Sequence, residues 1–255
     1  MLTRIITALI GIPLVLGVAW LGGPYLLAFL AFLSLLMGRE MEAMWDRLGI
    51  TPSPEITRWG GLLFLVATYF DKGSGVLAFL VLYALARETL RGRRPLRHGG
   101  AALLTVLYTG GLLWWIYALH AGMGRNAVFT LLLIVWSTDT AAYFLGTGWG
   151  KTPLCPSISP KKTREGALAG LAAGTVAGSL GGVHLLSLGP GAAVVGAAAV
   201  SLAAQTGDLV ESAIKREAEV KDSGNLLPGH GGLLDRFDSL LFAAPVAYHF
   251  LSLWM

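Results

Sequence analysis

This chain has little charge and almost no cysteine. Only 13% of its 255 residues are Asp, Glu, Lys or Arg, about half the roughly 25% of a soluble domain. Its one cysteine, Cys155, excludes an internal disulfide framework and any multi-cysteine metal site, and reads as a packed or solvated thiol. No low-complexity tail or soluble appendage is apparent. Gly146-Thr147-Gly148-Trp149-Gly150-Lys151 is glycine-rich but fits neither the P-loop nor the dinucleotide fingerprint, so it reads as a helix end. There is no catalytic triad, no sign of a nucleic-acid partner, and no pair of repeated halves with broken helices such as many transporters carry. What the chain has in quantity is apolar side chains, 55% of the total. The expected fold is all-α: a polytopic integral membrane protein, with residues 1–255 forming a single membrane-embedded domain.

A membrane-crossing helix needs about 20 apolar residues. Nine stretches qualify as candidates, at about 5–21, 24–37, 57–70, 74–90, 99–120, 127–146, 167–188, 189–210 and 239–255. The second and third are short, which leaves tilted, interfacial or re-entrant placement open. Trp59–Ala86 can be read as one span with Asp71 and Lys72 in its middle, or as two. The positive-inside rule decides for two. With the N-terminus inside, every basic residue except Lys72 and Arg125 then falls on the inner face, whereas a single span would turn all later basic loops outward. The reading is nine spans in a bacterial inner membrane, N-terminus and active loops cytoplasmic, C-terminus outside. Residues 1–21 have the outline of a secretory signal, but a second apolar segment follows at once, so the first helix is read as retained. Residues 1–126 supply N-terminal helices without an assigned role, and 127–255 supply the catalytic helices with their cytoplasmic loops. Gly166, Gly170, Gly174, Gly178 and Gly182 form a small-residue stripe, read either as close packing within one protomer or as a homodimer interface.

The scarce charge is concentrated. Ser212–Asp238 gathers Lys215, Arg216, Lys221, Asp222, Asp235, Arg236 and Asp238 around a glycine-proline loop that contains His230. Burying unpaired charge is costly, so this island calls for a reason. Asp208, Glu211, Ser212 and Lys215 recur at helical spacing and share one face, which must look into a cavity or water. Asp235 and Asp238 open the last helix, where a carboxylate is favoured by up to about 1 kcal/mol. That explains one of them and leaves the other. Carboxylates from separate helices suit a hard cation, which takes one or two of them together with substrate phosphates and water. Asp208 and Asp235 are the first candidates, with Asp238 and Asp222 in reserve. A salt-bridge network with the neighbouring cations is the alternative. Upstream, Ser157, Ser159, Lys161, Lys162 and Thr163 offer hydroxyls and ammonium groups to an anion just before a helix begins. Asp139 lies deep in the sixth span, where an acid costs roughly 2.5–3.5 kcal/mol. It reads as a cation ligand or the partner of a base. His230 reads as a phosphate contact or a plain loop residue.

These residues resemble the phosphatidate cytidylyltransferases. The family pattern runs Ser-x-apolar-Lys-Arg, four residues, Lys-Asp, then Pro-x-His-Gly-Gly-apolar-x-Asp-Arg-apolar-Asp. It is matched by Ser212, Ile214, Lys215, Arg216, Lys221, Asp222, Pro228, His230, Gly231, Gly232, Leu233, Asp235, Arg236, Phe237 and Asp238. Asp139–Tyr143, Ser159–Thr163 and Gln205–Ser212 match upstream elements, so the resemblance covers roughly residues 130–240. It implies transfer of CMP from CTP to phosphatidic acid, giving CDP-diacylglycerol and pyrophosphate. It also implies a divalent ion, Mg²⁺ with Mn²⁺ as substitute, and a place for K⁺ beside it. The implied catalytic residues are Asp208, Asp235, Lys215 and Lys221. The implied substrate contacts are Ser159, Lys161, Lys162, Thr163, Ser212, Arg216, His230 and Arg236, and the metal ligands come from Asp208, Asp235, Asp238, Asp139 and Asp222. A cation-coupled transporter, motivated by Asp139 and Asp208, and a related enzyme with an isoprenoid or ether-lipid acceptor are the alternatives.

Overall fold

A computed structural model describes residues 2–226, 229 and 231–254, with residues 2–6 and 8 by backbone alone. Its helices are α1 (Leu2–Leu21), α2 (Gly23–Arg47), α3 (Pro54–Tyr69), α4 (Gly73–Leu90), α5 (Pro95–Val106), α6 (Leu112–Met123), α7 (Arg125–Trp149), α8 (Arg164–Leu186), α9 (Pro190–Glu217) and α10 (Leu234–Ser252). A π-turn, Leu107–Gly111, joins α5 to α6 in one continuous run. The only sheet among the described residues is a hairpin of β1 (Pro153–Cys155) and β2 (Ser159–Thr163).

Each of the nine expected stretches falls on a helical run, but nine membrane crossings do not follow. Among the described residues, five runs are long and apolar enough to cross a membrane: Gly73–Leu90, Pro95–Met123, Arg125–Trp149, Arg164–Leu186 and Pro190–Glu217. The others fall short of that measure among the described residues. In α1 the apolar stretch among the described residues is Leu9–Leu21. α2 runs on through Arg39, Glu40, Glu42, Asp46 and Arg47, and α3 has only 16 residues. α10 opens on Asp235, Arg236 and Asp238. The chain is an integral membrane protein with five such helices. Their outer faces agree with that: Leu168, Val176 and Leu180 on α8 and Val195 and Leu202 on α9 are all more than half exposed, an apolar surface that water alone would not favour.

Trp59–Ala86 is two helices, α3 and α4, of which α4 alone is among the runs long and apolar enough to cross a membrane. The chain leaves α3 through backbone bonds from Phe70, Asp71 and Lys72 to Ala67 and Thr68. Asp71 sits in the left-handed region at φ 58°, which a short polar side chain tolerates better than most.

The chain forms two compact units. The first comprises Met1–Tyr117 and Glu217–Arg236, and the second comprises Ala118–Arg216 and Phe237–Met255. In the first, Ile56, Leu80, Ala84, Ala102 and Val106 form a buried apolar cluster. Close to it, α3 packs on the π-turn backbone to backbone. A Cβ on Gly110 would lie 2.7 Å from the Cα of Gly61, so neither position has room for a side chain.

In the second unit the glycine stripe of α8 is filled from within the same chain. A Cβ on Gly170 would lie 2.8 Å from the carbonyl oxygen of Thr138 on α7. On Gly178 it would lie 2.7 Å from Ala197 Cβ, and on Gly182 3.0 Å from Ala193 Cβ, both on α9. The homodimer reading of this stripe is therefore corrected: the small residues let α7 and α9 approach α8 inside one protomer. A buried hydrogen bond of 2.8 Å between the hydroxyls of Thr138 and Ser201 lies in the same contact.

Candidate active site

The polar residues of the second unit are brought together by the hairpin. The segment Ser159–Thr163, expected as a loop, is strand β2, because it pairs back on β1 and runs straight into α8. Thr163 caps that helix, its Oγ1 accepting the Gly166 N–H at 3.2 Å. This cap is worth about 1 kcal/mol. Glu165 holds the preceding turn, accepting the backbone N–H of Lys151 at 3.2 Å and the hydroxyl of Thr152 at 2.8 Å. At the hairpin's other end, Arg216 Nε donates to the carbonyl of Ile158 at 3.1 Å, tying the hairpin to the end of α9.

Under the hairpin lies a cavity of about 330 Å³ whose polar lining includes Asp139, Lys161, Lys162, Thr163, Gln205 and Asp208. Lys162 Nζ stands 2.6 Å from Asp208 Oδ1, each side chain about one-third exposed. A pair this open contributes about 0–1 kcal/mol, so stability does not account for it. One turn further along α9, Glu211 is buried at 1% exposure and paired with Lys215. Asp238, on the first turns of α10, lies in the combined negative field of Asp208, Glu211 and Asp139. Its Oδ1 accepts the N–H of Ser239 at 2.7 Å. α9 and α10 meet here at Gly207, where a Cβ would lie 2.9 Å from Phe242 Cβ. Ser212 is buried on α9 beside Glu211.

Among the described residues, no three His, Cys, Asp or Glu side chains form a ready-made metal cage. The donor set nevertheless fits Mg²⁺: it is all carboxylate oxygen, crowded with like charge. Mg²⁺ keeps several waters and takes only one or two protein carboxylates beside substrate phosphates.

The other predicted residues lie in the first unit. Lys221, Asp222 and Arg236 are exposed. Asp235 organises the loop before it: its Oδ2 accepts the N–H of Ser223 at 2.9 Å and of Gly232 at 2.8 Å, with Ser223 Oγ at 3.0 Å. Gly231 has φ +81°, and a Cβ there would lie 2.7 Å from Asp235 Oδ2, which accounts for a glycine at that position. His230, with Leu227 and Pro228, lies outside the described residues.

Sequence reasoning missed Glu40. It is buried at 4% exposure, with Oε1 accepting the N–H of Leu233 at 2.8 Å and Oε2 that of Leu234 at 2.9 Å. Ser223 Oγ lies 3.1 Å from Oε2. Burial pushes its carboxyl above the ordinary carboxylate range, opposed by the Leu234, Leu233 and Ser223 hydrogen bonds that pull it down. Glu211 was noticed on the α9 face but not placed in the site. Its signal was the three-residue spacing from Asp208.

The cytidylyltransferase family profile matches residues 2–254. The chain belongs to the cytidylyltransferase family. It is 36% identical over 263 residues to a phosphatidate cytidylyltransferase of Brucella suis, covering 97% of this chain and 92% of that one. It is 33% identical over 285 residues to a phosphatidate cytidylyltransferase of Synechocystis, covering 98% and 96%. A phosphatidate cytidylyltransferase of Bacillus subtilis is 46% identical over 140 residues, 51% of this chain and 49% of that one. The family match takes in both units, including the N-terminal helices that the motifs alone did not reach.

Proposed function

We propose that this protein transfers CMP from CTP to phosphatidic acid, forming CDP-diacylglycerol and releasing pyrophosphate. The full-length likeness to phosphatidate cytidylyltransferases supports the reaction. The observation that carries it to residues is the cavity of the second unit, where the Lys162–Asp208 pair sits among Lys161, Thr163 and Asp139. Cations that hold phosphate and acids that hold a cation share one space there, beside helices suited to lipid.

In this reading an anionic oxygen of the lipid phosphate attacks the α-phosphorus of CTP. The bond to the bridging oxygen of the β-phosphate breaks, and pyrophosphate leaves. The nucleophile is already ionised near neutral pH, so no strong general base is needed. Two polyanions must instead be neutralised and aligned. Lys161 and Lys162 neutralise nucleotide phosphate, and the Thr163 hydroxyl lines the same cavity. Lys215 keeps Glu211 compensated, and Arg216 holds the hairpin closed on the end of α9. Asp208 and Asp238 would hold Mg²⁺, which, when bound, spreads the charge of the reacting phosphate oxygens. Asp235, Lys221, Asp222, His230 and Arg236 enter the assignment through the family motif. The hairpin side faces the cytoplasm in this proposal, since Lys151, Lys161, Lys162, Arg164, Lys215 and Arg216 gather there.

The test uses labelled CTP with purified protein in detergent. Asp208→Ala should abolish Mg²⁺-dependent CDP-lipid formation while the protein stays folded, and near-normal turnover would defeat the assignment. A panel of lipid phosphates and isoprenoid alcohols separates phosphatidate from other acceptors.

A further inference from the structure

The loop that carries the densest part of the family motif is not held by its own residues alone. Its two ends, Ser223–Gly224 and Gly232–Leu234, close on the carboxylate of Glu40, which comes from the far end of α2 and lies 193 and 194 positions from the amides it accepts. Those amides, of Leu233 and Leu234, stand at the start of α10, where a helix leaves N–H groups without partners of their own. Glu40 takes one on each oxygen. The surroundings are built for close approach: a Cβ on Gly224 would lie 2.8 Å from Glu40 Oε1, and one on Gly232 would lie 2.7 Å from either Glu40 oxygen. Ser223 Oγ stands between Glu40 Oε2 at 3.1 Å and Asp235 Oδ2 at 3.0 Å. The same serine thus links the buried glutamate to the motif aspartate. A surface acid on an amphipathic helix would show none of this. Glu42, two residues on, shows the contrast by pairing with the exposed Arg58 at 2.8 Å.

We infer that Glu40 is a positioning residue, the anchor through which α2 fixes the Ser223–Asp235 loop and the orientation of Asp235. Glutamate suits the task for a definite reason. Two amides and a hydroxyl need an acceptor with two oxygens, and a glutamine would turn an NH₂ group toward one of those donors. An aspartate would fall one methylene short. The inference gives a role to the N-terminal half of the chain, which carries no chemistry of its own in the motif. It rests on the proposed nucleotide reading only for its kinetic consequence.

The experiment compares Glu40→Gln and Glu40→Ala with wild type and with Glu42→Gln as a same-helix control, all as full-length protein in detergent. Hydrogen exchange reads the loop directly. In both Glu40 variants the amides of residues 221–226 and 231–235 should exchange at least tenfold faster, while those of α3–α5 keep wild-type protection. CTP kinetics read the consequence. Glu40→Gln should lose at least tenfold in kcat/KM for CTP and need at least tenfold more Mg²⁺ for half-saturation, with the KM for phosphatidate within twofold of wild type. Glu42→Gln should change neither. Unchanged exchange in the loop would overturn the inference, and so would an equal rise in exchange throughout the first unit, which marks a general packing residue. Faster loop exchange with unchanged CTP and Mg²⁺ dependence would overturn the link to Asp235. A wild-type protein with no CTP turnover would defeat the proposed reaction while the exchange result still decided the anchor.

Discussion

The buried carboxylates of the first unit and those of the second are balanced in different ways. In the first, Glu88 is wholly buried but is held by the Ser53 hydroxyl, by Arg87 at 3.3 Å and by Arg93 at 3.8 Å. Arg87 reaches Glu55 at 2.7 Å as well, and Arg58 clasps Glu42 with two bonds of 2.8 Å. In the second, Asp238 meets the negative fields of Asp208, Glu211 and Asp139. Lys162 and Lys215 pair there with Asp208 and Glu211, and Lys161 lines the same cavity. An acid cluster that balances itself is explained by the fold, because buried charge must be paired. One that crowds like charge beside a cavity suits a further cation.

That contrast separates the effects of mutation. The largest is expected at the like-charge cluster of the second unit. Asp208→Ala and Asp238→Asn should each lower CDP-lipid formation about a thousandfold, the scale of several kcal/mol of lost charge stabilisation. Asp238→Asn should leave thermal stability equal or higher, since it removes like-charge repulsion, as happens where function and stability compete. A variant that loses fold and activity together would put the two clusters in one class. Next comes the balanced cluster: Arg87→Met strands Glu88 in the interior and should cost about 3–5 kcal/mol of stability. It should lower Tm in detergent while the folded fraction keeps its specific activity. Gly170→Ala, which presses α8 against Thr138, should cost about 1–3 kcal/mol and lower Tm without changing the KM for CTP. The smallest effect belongs to Lys162→Met. Stability should move by less than about 1 kcal/mol, while the KM for CTP rises about tenfold, or about 1.4 kcal/mol. A change in Tm with no change in KM would make this pair structural after all.

Much of this arrangement was readable from the chain. Apolar run lengths located each helix, and the pair Asp71-Lys72 marked the break between α3 and α4. The expense of an acid in an apolar helix singled out Asp139 and Asp208, which line one cavity with Lys161, Lys162 and Thr163. The number of crossings was overread, because run length does not register the polar turns that open α10 or close α2. The hairpin was hidden because Ser-Pro-Lys-Lys-Thr carries no alternation of apolar and polar residues, and its strand forms by pairing with Pro153–Cys155. Glu40 was hidden for a plainer reason. Beside Arg39, Glu42 and Asp46 it looks like one more solvated charge, and only folding brings it to amides nearly two hundred positions away.

In the proposed function the acids of the second unit serve a metal-assisted reaction between CTP and phosphatidate. Its most direct test is pyrophosphate release from CTP by the purified protein, measured with and without phosphatidic acid, Mg²⁺ and a chelator. Release is expected only when lipid and Mg²⁺ are both present, stoichiometric with CDP-diacylglycerol, and is expected to be lost in Asp208→Ala. Release that ignores the lipid, survives chelation, or continues in that variant would contradict it.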